Sequence, residues 1–89
     1  MPDKHTNPNI TLTVVVSGQG HSVTVNVHET VAHIVLKALH ESGNQGQPPA
    51  DWELRKVDGA LLDQSLRISD AGLVDGMTLF LAPRAGVAG

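Results

Sequence analysis

Five histidines, nine carboxylates, no cysteine and a glycine-ended tail are what this 89-residue chain offers for chemistry. Without cysteine there is no thiolate nucleophile, no thiolate zinc or iron–sulfur site and no disulfide. The histidines are His5, His21, His28, His33 and His40. His33 and His40 are seven residues apart on a predicted helix, two turns, whereas two ligands of one metal on a helix face need an i, i+4 spacing. His21 and His28 flank a strand, and no spacing matches a zinc site. All five read as surface side chains. Asp51, Glu53, Asp58, Asp63, Asp70 and Asp75 fall mostly in turns, where carboxylates bond local backbone, so no acid–base pair is indicated. Ser42, Ser65 and Ser69 lack a nucleophile-elbow context. Gly18-Gln19-Gly20 is too short for a phosphate loop, and a hairpin turn accounts for it. The sequence indicates no active site, no metal and no cofactor.

Charge and composition exclude other classes. The net charge is −3, with a pI near 5.9, so there is no basic stripe to track nucleic acid. The aromatics are Trp52 and Phe80 alone, which makes no stacking platform for single strands. The longest apolar stretch, Val14-Val15-Val16, is far too short for a bilayer. The polar start, MPDKHTNPN, is no signal peptide, and the cytoplasm is the default expectation. An apolar content of 40% suits one small folded domain, with no room for a second core.

The elements follow from periodicity. Residues 1–9 read as a flexible lead-in. Ile10, Leu12, Val14 and Val16 alternate with Thr11, Thr13 and Val15, the period of a strand with one buried face. After Ser17-Gly18-Gln19-Gly20, Val23, Val25 and Val27 alternate again, and the two runs predict a hairpin. Val31, Ile34, Val35, Ala38 and Leu39 form a helical stripe. Thr30 is placed to cap that helix through its hydroxyl, and Gly43 to end it in the left-handed conformation. Trp52–Val57 predicts a third strand and Ala60-Leu61-Leu62 a short one. Leu66, Ile68 and Leu73 are apolar anchors in a turn-rich stretch. Met77–Leu81 predicts a last strand, dense enough in apolar residues to suggest burial on both faces. The first and last strands are expected to pair in parallel at the sheet centre. Residues 82–89 read as a free tail.

In this order the pieces resemble the ubiquitin-like (β-grasp) family over residues 10–81. The resemblance rests on the hairpin followed by Thr30-Val31-Ala32-His33-Ile34-Val35, which looks like the family's Thr-led helix start. It rests also on the Gly46-Gln47-Pro48-Pro49-Ala50-Asp51 loop and on Leu54–Gly59, which resembles the third strand and its turn. Leu62 and Leu66 through Gly72-Leu73, then Asp75-Gly76-Met77-Thr78-Leu79-Phe80-Leu81, complete it. The fold implied is α+β: a four- to five-stranded mixed sheet with one α-helix packed across one face. Within the family the chain is most similar to bacterial ubiquitin-like modifiers encoded with ubiquitin-type activating and conjugating enzymes and a JAB-type zinc peptidase.

That resemblance implies a substrate of conjugation, not an enzyme. Its partners would be the activating enzyme, the conjugating enzyme, the JAB-type peptidase and protein targets; nucleic acid and membrane are not expected. The reacting residue is Gly89 if the chain is mature as given. The family usually ends in Gly-Gly, and Val87-Ala88-Gly89 departs from this, so Gly86 is a rival mature terminus. Glycine fits either role, since enclosing backbone approaches a residue without Cβ closely. A frayed terminus is the plain alternative. Lys4, Lys37 and Lys56 are the candidate chain acceptors. Many relatives dock partners through an apolar patch on the exposed sheet face, whereas the third strand here offers Arg55 and Lys56. With Trp52 and Arg84, these form the candidate partner surface. Two rivals remain open: a non-covalent interaction module of a larger bacterial assembly, and a sulfur carrier.

Overall fold

Alternation of β-branched and polar residues builds the first hairpin. The computed structural model describes residues 8–84. Strand β1 (Asn9–Val16) runs antiparallel to β2 (Gln19–Asn26). The turn is the two residues Ser17 and Gly18, both at positive φ (53° and 81°), the geometry that matches the twist of a tight hairpin. Gln19 and Gly20 therefore belong to β2 and not to the loop. Leu12, Val14, Val16, Val23 and Val25 are buried on one face, and Thr11, Thr13, Ser22 and Thr24 are exposed on the other.

The predicted helical stripe forms α1 (Val31–Glu41), with Val31, Ile34, Val35, Ala38 and Leu39 all buried against the sheet. Thr30 sits at the N-cap position, but its hydroxyl makes no capping bond. The first-turn amides go elsewhere: Val31 N–H donates to the Leu66 carbonyl (2.8 Å) and Ala32 N–H to the Gln64 carbonyl (3.0 Å). A neighbouring chain segment thus satisfies donors that a cap side chain would otherwise take. The C-terminus is as expected. Gly43 has φ +82°, and Asn44 N–H and Gly43 N–H close back on the Leu39 and His40 carbonyls, a Schellman arrangement.

A 3₁₀ turn (Pro49–Asp51) leads into β3 (Trp52–Lys56), and a second (Ile68–Asp70) precedes β4 (Thr78–Pro83). The sheet order is β2-β1-β4-β3, with β4 parallel to β1 and antiparallel to β3. This is a ubiquitin-like β-grasp fold of class α+β: a four-stranded mixed sheet with one helix across one face. Several sequence expectations need correction. Ala60–Leu62 forms only an isolated bridge, Leu61 to Arg55. Val57 lies in the turn after β3. Strand β4 is central but buried on one face only: Leu79 and Leu81 are buried, while Phe80 is 44% exposed. One helix covers one face of a sheet, so alternate residues of even a central strand meet solvent. Order also runs past residue 81, since β4 includes Pro83, and it begins before Ile10, since β1 starts at Asn9.

Candidate functional site

The end of β4 carries the chain out of the sheet beside the start of β3. Trp52 pairs with Pro83 in the β3–β4 ladder. The next residue, Arg84, is held twice by the 3₁₀ turn: its amide donates to the Asp51 carbonyl and its Nε to the Ala50 carbonyl, both at 2.8 Å. Gln64 fastens the same turn from the other side. Its Nε2 donates to the Pro49 carbonyl (3.1 Å) and the Trp52 carbonyl (2.8 Å). Between these elements lies an open groove of about 630 Å³, lined by Trp52, Leu61, Leu62, Gln64, Ser65 and Arg84 among others. Its walls are apolar ring and aliphatic surface with a polar rim.

The candidate partner residues are not one surface. Alternation along β3 puts Trp52, Leu54 and Lys56 on the helix side of the sheet and Arg55 on the other. Trp52 is partly buried against the core and shares the groove with Arg84. Arg55 is exposed, with its guanidinium bonded to the Gly59 carbonyl (2.9 Å) and paired with Glu53 (3.4 Å). Lys56 is half-buried at the far end of the strand. Lys37, one of the candidate acceptors, donates from Nζ to the Thr24 carbonyl at 2.7 Å. Gly86, Gly89 and Lys4 lie outside the described residues.

Arg55 instead lies beside Phe80, which the apolar density of β4 predicts to be buried. The register lines up Gly20, Val15, Phe80 and Arg55 across all four strands, with Leu61 bridging at the end. Phe80 and the half-exposed Val15 give the outer sheet face an apolar centre, bordered by Arg55 and by the threonines of β1. The strict two-residue period of β4 was the available signal for Phe80. Gln64 had no signal of its own, because a polar residue in a turn-rich stretch looks like any other loop residue.

Titratable groups are dispersed. Among the described residues no three or more His, Asp or Glu side chains come together as a metal would require. His33 Nε2 meets Glu29, four residues back and just ahead of the helix, at 3.3 Å. Asp63 is held below its ordinary pKa because the Ser65 hydroxyl (2.7 Å) and then the Ser65 amide (2.9 Å) both donate to it. A depressed folded-state pKa stabilises the fold above the unfolded-state value, and this is lost as pH falls through the folded-state value. Ser65→Ala is therefore expected to move the Asp63 midpoint upward, part of the way to an ordinary aspartate, in an NMR titration. An unchanged midpoint would remove the hydroxyl as the main cause.

The comparisons with known proteins agree with this architecture. A family model described as "Protein of Unknown function (DUF2604)" matches residues 5–89. The chain belongs to the DUF2604 family. A curated relative, "Uncharacterized protein y4jI" of Sinorhizobium fredii (strain NBRC 101917 / NGR234), is 40% identical over 80 residues. That alignment takes in 90% of this chain but 62% of the relative, so this DUF2604 chain spans less than two thirds of the relative's length. Among solved structures, a design based on ubiquitin aligns with a TM-score of 0.78 at 19% identity, covering 94% of this chain and 99% of the design. Caldiarchaeum subterraneum ubiquitin aligns at 0.70 and 19% identity, over 90% of this chain and 99% of its own. A structure described as "Molecular Mimicry of SUMO promotes DNA repair" aligns at 0.75 and 19% identity, over 89% and 96%. At such identities these likenesses establish the fold alone. No helix among the described residues is long and apolar enough to cross a membrane.

Proposed function

We propose that this DUF2604 chain is a bacterial ubiquitin-like protein modifier. An ATP-dependent activating enzyme adenylates its C-terminal glycine: the carboxylate attacks the α-phosphate and pyrophosphate leaves. A cysteine thiolate then displaces AMP, and the thioester passes to a conjugating enzyme. An acceptor amine or hydroxyl on a target displaces that thiol, giving an amide or an ester. A JAB-type zinc peptidase trims or removes the product. ATP, magnesium and zinc belong to these partners, and the reaction is placed in the cytoplasm.

The observation that carries the reading is the exit of the chain. The central strand of a ubiquitin-like sheet delivers it to the surface, and Arg84 is tied there to Ala50 and Asp51. The small-residue sequence Ala-Gly-Val-Ala-Gly comes next. From a fixed Arg84, an extended chain reaches at most about 7 Å to Gly86 and about 18 Å to Gly89. Gly89 and Gly86 are the two candidate reacting residues.

Intact-mass analysis of the protein from its native cells tests this. The expected result is a mature end at Gly89 or Gly86, plus higher-mass adducts that vanish when that glycine is deleted. Adducts unaffected by deleting Gly86 and Gly89, singly and together, overturn it. A single unmodified species favours the non-covalent module, for which the Phe80–Arg55 face is the contact surface. A sulfur-for-oxygen mass increase at the terminus points to a sulfur carrier.

A further inference from the structure

The sheet has two edges, and the chain treats them differently. The β3 edge is covered by its own following segment: Lys56 N–H donates to the Ala60 carbonyl and Leu62 N–H to the Leu54 carbonyl, both at 2.9 Å. Among the described residues the β2 edge has no such cover. Two contacts show which of its groups face outward. Lys37 Nζ reaches the Thr24 carbonyl (2.7 Å), and Glu29 takes up both the Asn26 amide (3.3 Å) and the Asn26 carbonyl (2.9 Å). By the two-residue period, Ser22 and Gly20 also turn their main-chain groups away from β1. Among the described residues, the Ser22 amide and carbonyl and the Thr24 amide take no protein partner. Beside them runs a groove between β2 and α1, bordered by Leu36, Lys37, His40 and Glu41, with Leu36 49% exposed.

We propose that the β2 edge is a pairing surface for a second copy of this chain, and that Lys37 keeps it closed. A two-fold axis at Val23 sets Ser22 of each copy opposite Thr24 of the other, antiparallel. Each pair then exchanges both main-chain hydrogen bonds, using three groups that stand unpaired in the single chain and a fourth, the Thr24 carbonyl, that Lys37 holds there. The side chains meeting on the outer face are small and hydroxylated, so nothing obstructs the approach. On the other face the two helices lie antiparallel, and Lys37 of one copy is brought toward Glu41 of the other. This match of opposite charges favours a second copy over an unrelated strand. The arrangement requires the Thr24 carbonyl, which the Lys37 ammonium holds. Charged side chains, lysine above all, guard strand edges against pairing, and here the lysine reaches the edge from α1. The guard here is one exposed hydrogen bond, so any change that removes the ammonium's donors opens the edge.

The test compares full-length wild type with Lys37→Met, which keeps an unbranched side chain one atom shorter and removes its donors. Both are run as concentration series in sedimentation velocity, with amide exchange on the same samples. Wild type is expected to stay monomeric, while Lys37→Met shifts toward twice the mass as concentration rises, with exchange at Ser22 and Thr24 slowed. Adding Ser22→Pro to Lys37→Met should restore the monomer. The Ser22 N–H faces outward, so proline removes no internal ladder bond. If the double variant fails to fold, the Ser22 and Thr24 amides decide. The proposal is overturned by a Lys37→Met protein that stays monomeric, or by a wild type that dimerises equally. A dimer in which those two amides exchange as in the monomer overturns it too. Protection of the same amides only by an added foreign peptide would assign the edge to another protein and also overturn it.

Discussion

Leu79→Ala is expected to destabilise the domain by about 2–5 kcal/mol, whereas Phe80→Thr, one residue further along the same strand, should cost about 1 kcal/mol or less. Leu79 is fully buried. It pairs with Val14 on β1 and Lys56 on β3, at the sheet centre beneath α1. Truncation leaves a cavity bounded by strands on both sides, which cannot collapse without shifting a ladder. Small domains have little stability to spare, and at this size each kcal/mol is worth about 4–8 °C in Tm. Leu79→Ala should therefore lower Tm by about 10 °C or more. Phe80 points the other way, into solvent, and threonine suits an exposed strand position. Thermal unfolding of the two variants side by side is the check. Equal losses would mean that β4 is buried on both faces after all.

That pair also shows where sequence reading stops. The hairpin is legible because apolar residues recur at every second position, at Ile10, Leu12, Val14 and Val16 and again at Val23, Val25 and Val27, on either side of a short glycine-containing break. The helix was legible because five apolar residues fall on one stripe and Gly43 stands where a left-handed residue is needed. The parallel pairing of β1 and β4 followed from the order of elements. The errors arose where local pattern and tertiary surroundings part. Met77–Leu81 is dense in apolar residues, yet only one layer of helix exists to cover the sheet, so Phe80 had to face out. Thr30 has the right side chain for a cap, but the carbonyls of Gln64 and Leu66 reached the helix amides instead. Trp52, Arg55 and Lys56 are close in sequence, and the pleat divides them between two faces. For the candidate site, the tail glycines were conspicuous in the sequence. The anchoring of Arg84 was not, because its acceptors are main-chain carbonyls more than thirty residues away and carry no residue-type signature.

The same reasoning identifies Gln64 as the residue on which that exit depends. Its side-chain amide is the donor to two carbonyls, Pro49 and Trp52, and both acceptors fix which end of the amide is nitrogen. Its main-chain carbonyl takes the Ala32 amide. One residue thus joins the start of α1 to the 3₁₀ turn and the start of β3. The carbonyls that hold Arg84, at Ala50 and Asp51, lie in the turn so fastened. Gln64→Ala leaves the Trp52 carbonyl without a donor and the Pro49 carbonyl with the Trp52 amide alone, at a cost of about 1–3 kcal/mol. Gln64→Glu should cost at least as much despite equal size, because a carboxylate there faces two carbonyl oxygens with no proton to offer. Gln47→Ala, exposed before the same turn, is the control and should stay within about 0.5 kcal/mol of wild type. Amide exchange gives the sharper readout. Both Gln64 variants should speed exchange at Arg84 more than at Leu12 or Val14, since local release of the turn frees Arg84 before the β1 ladder opens. If exchange at Arg84 tracks global stability alone, Gln64 supports the core and has no separate hold on the exit of the chain.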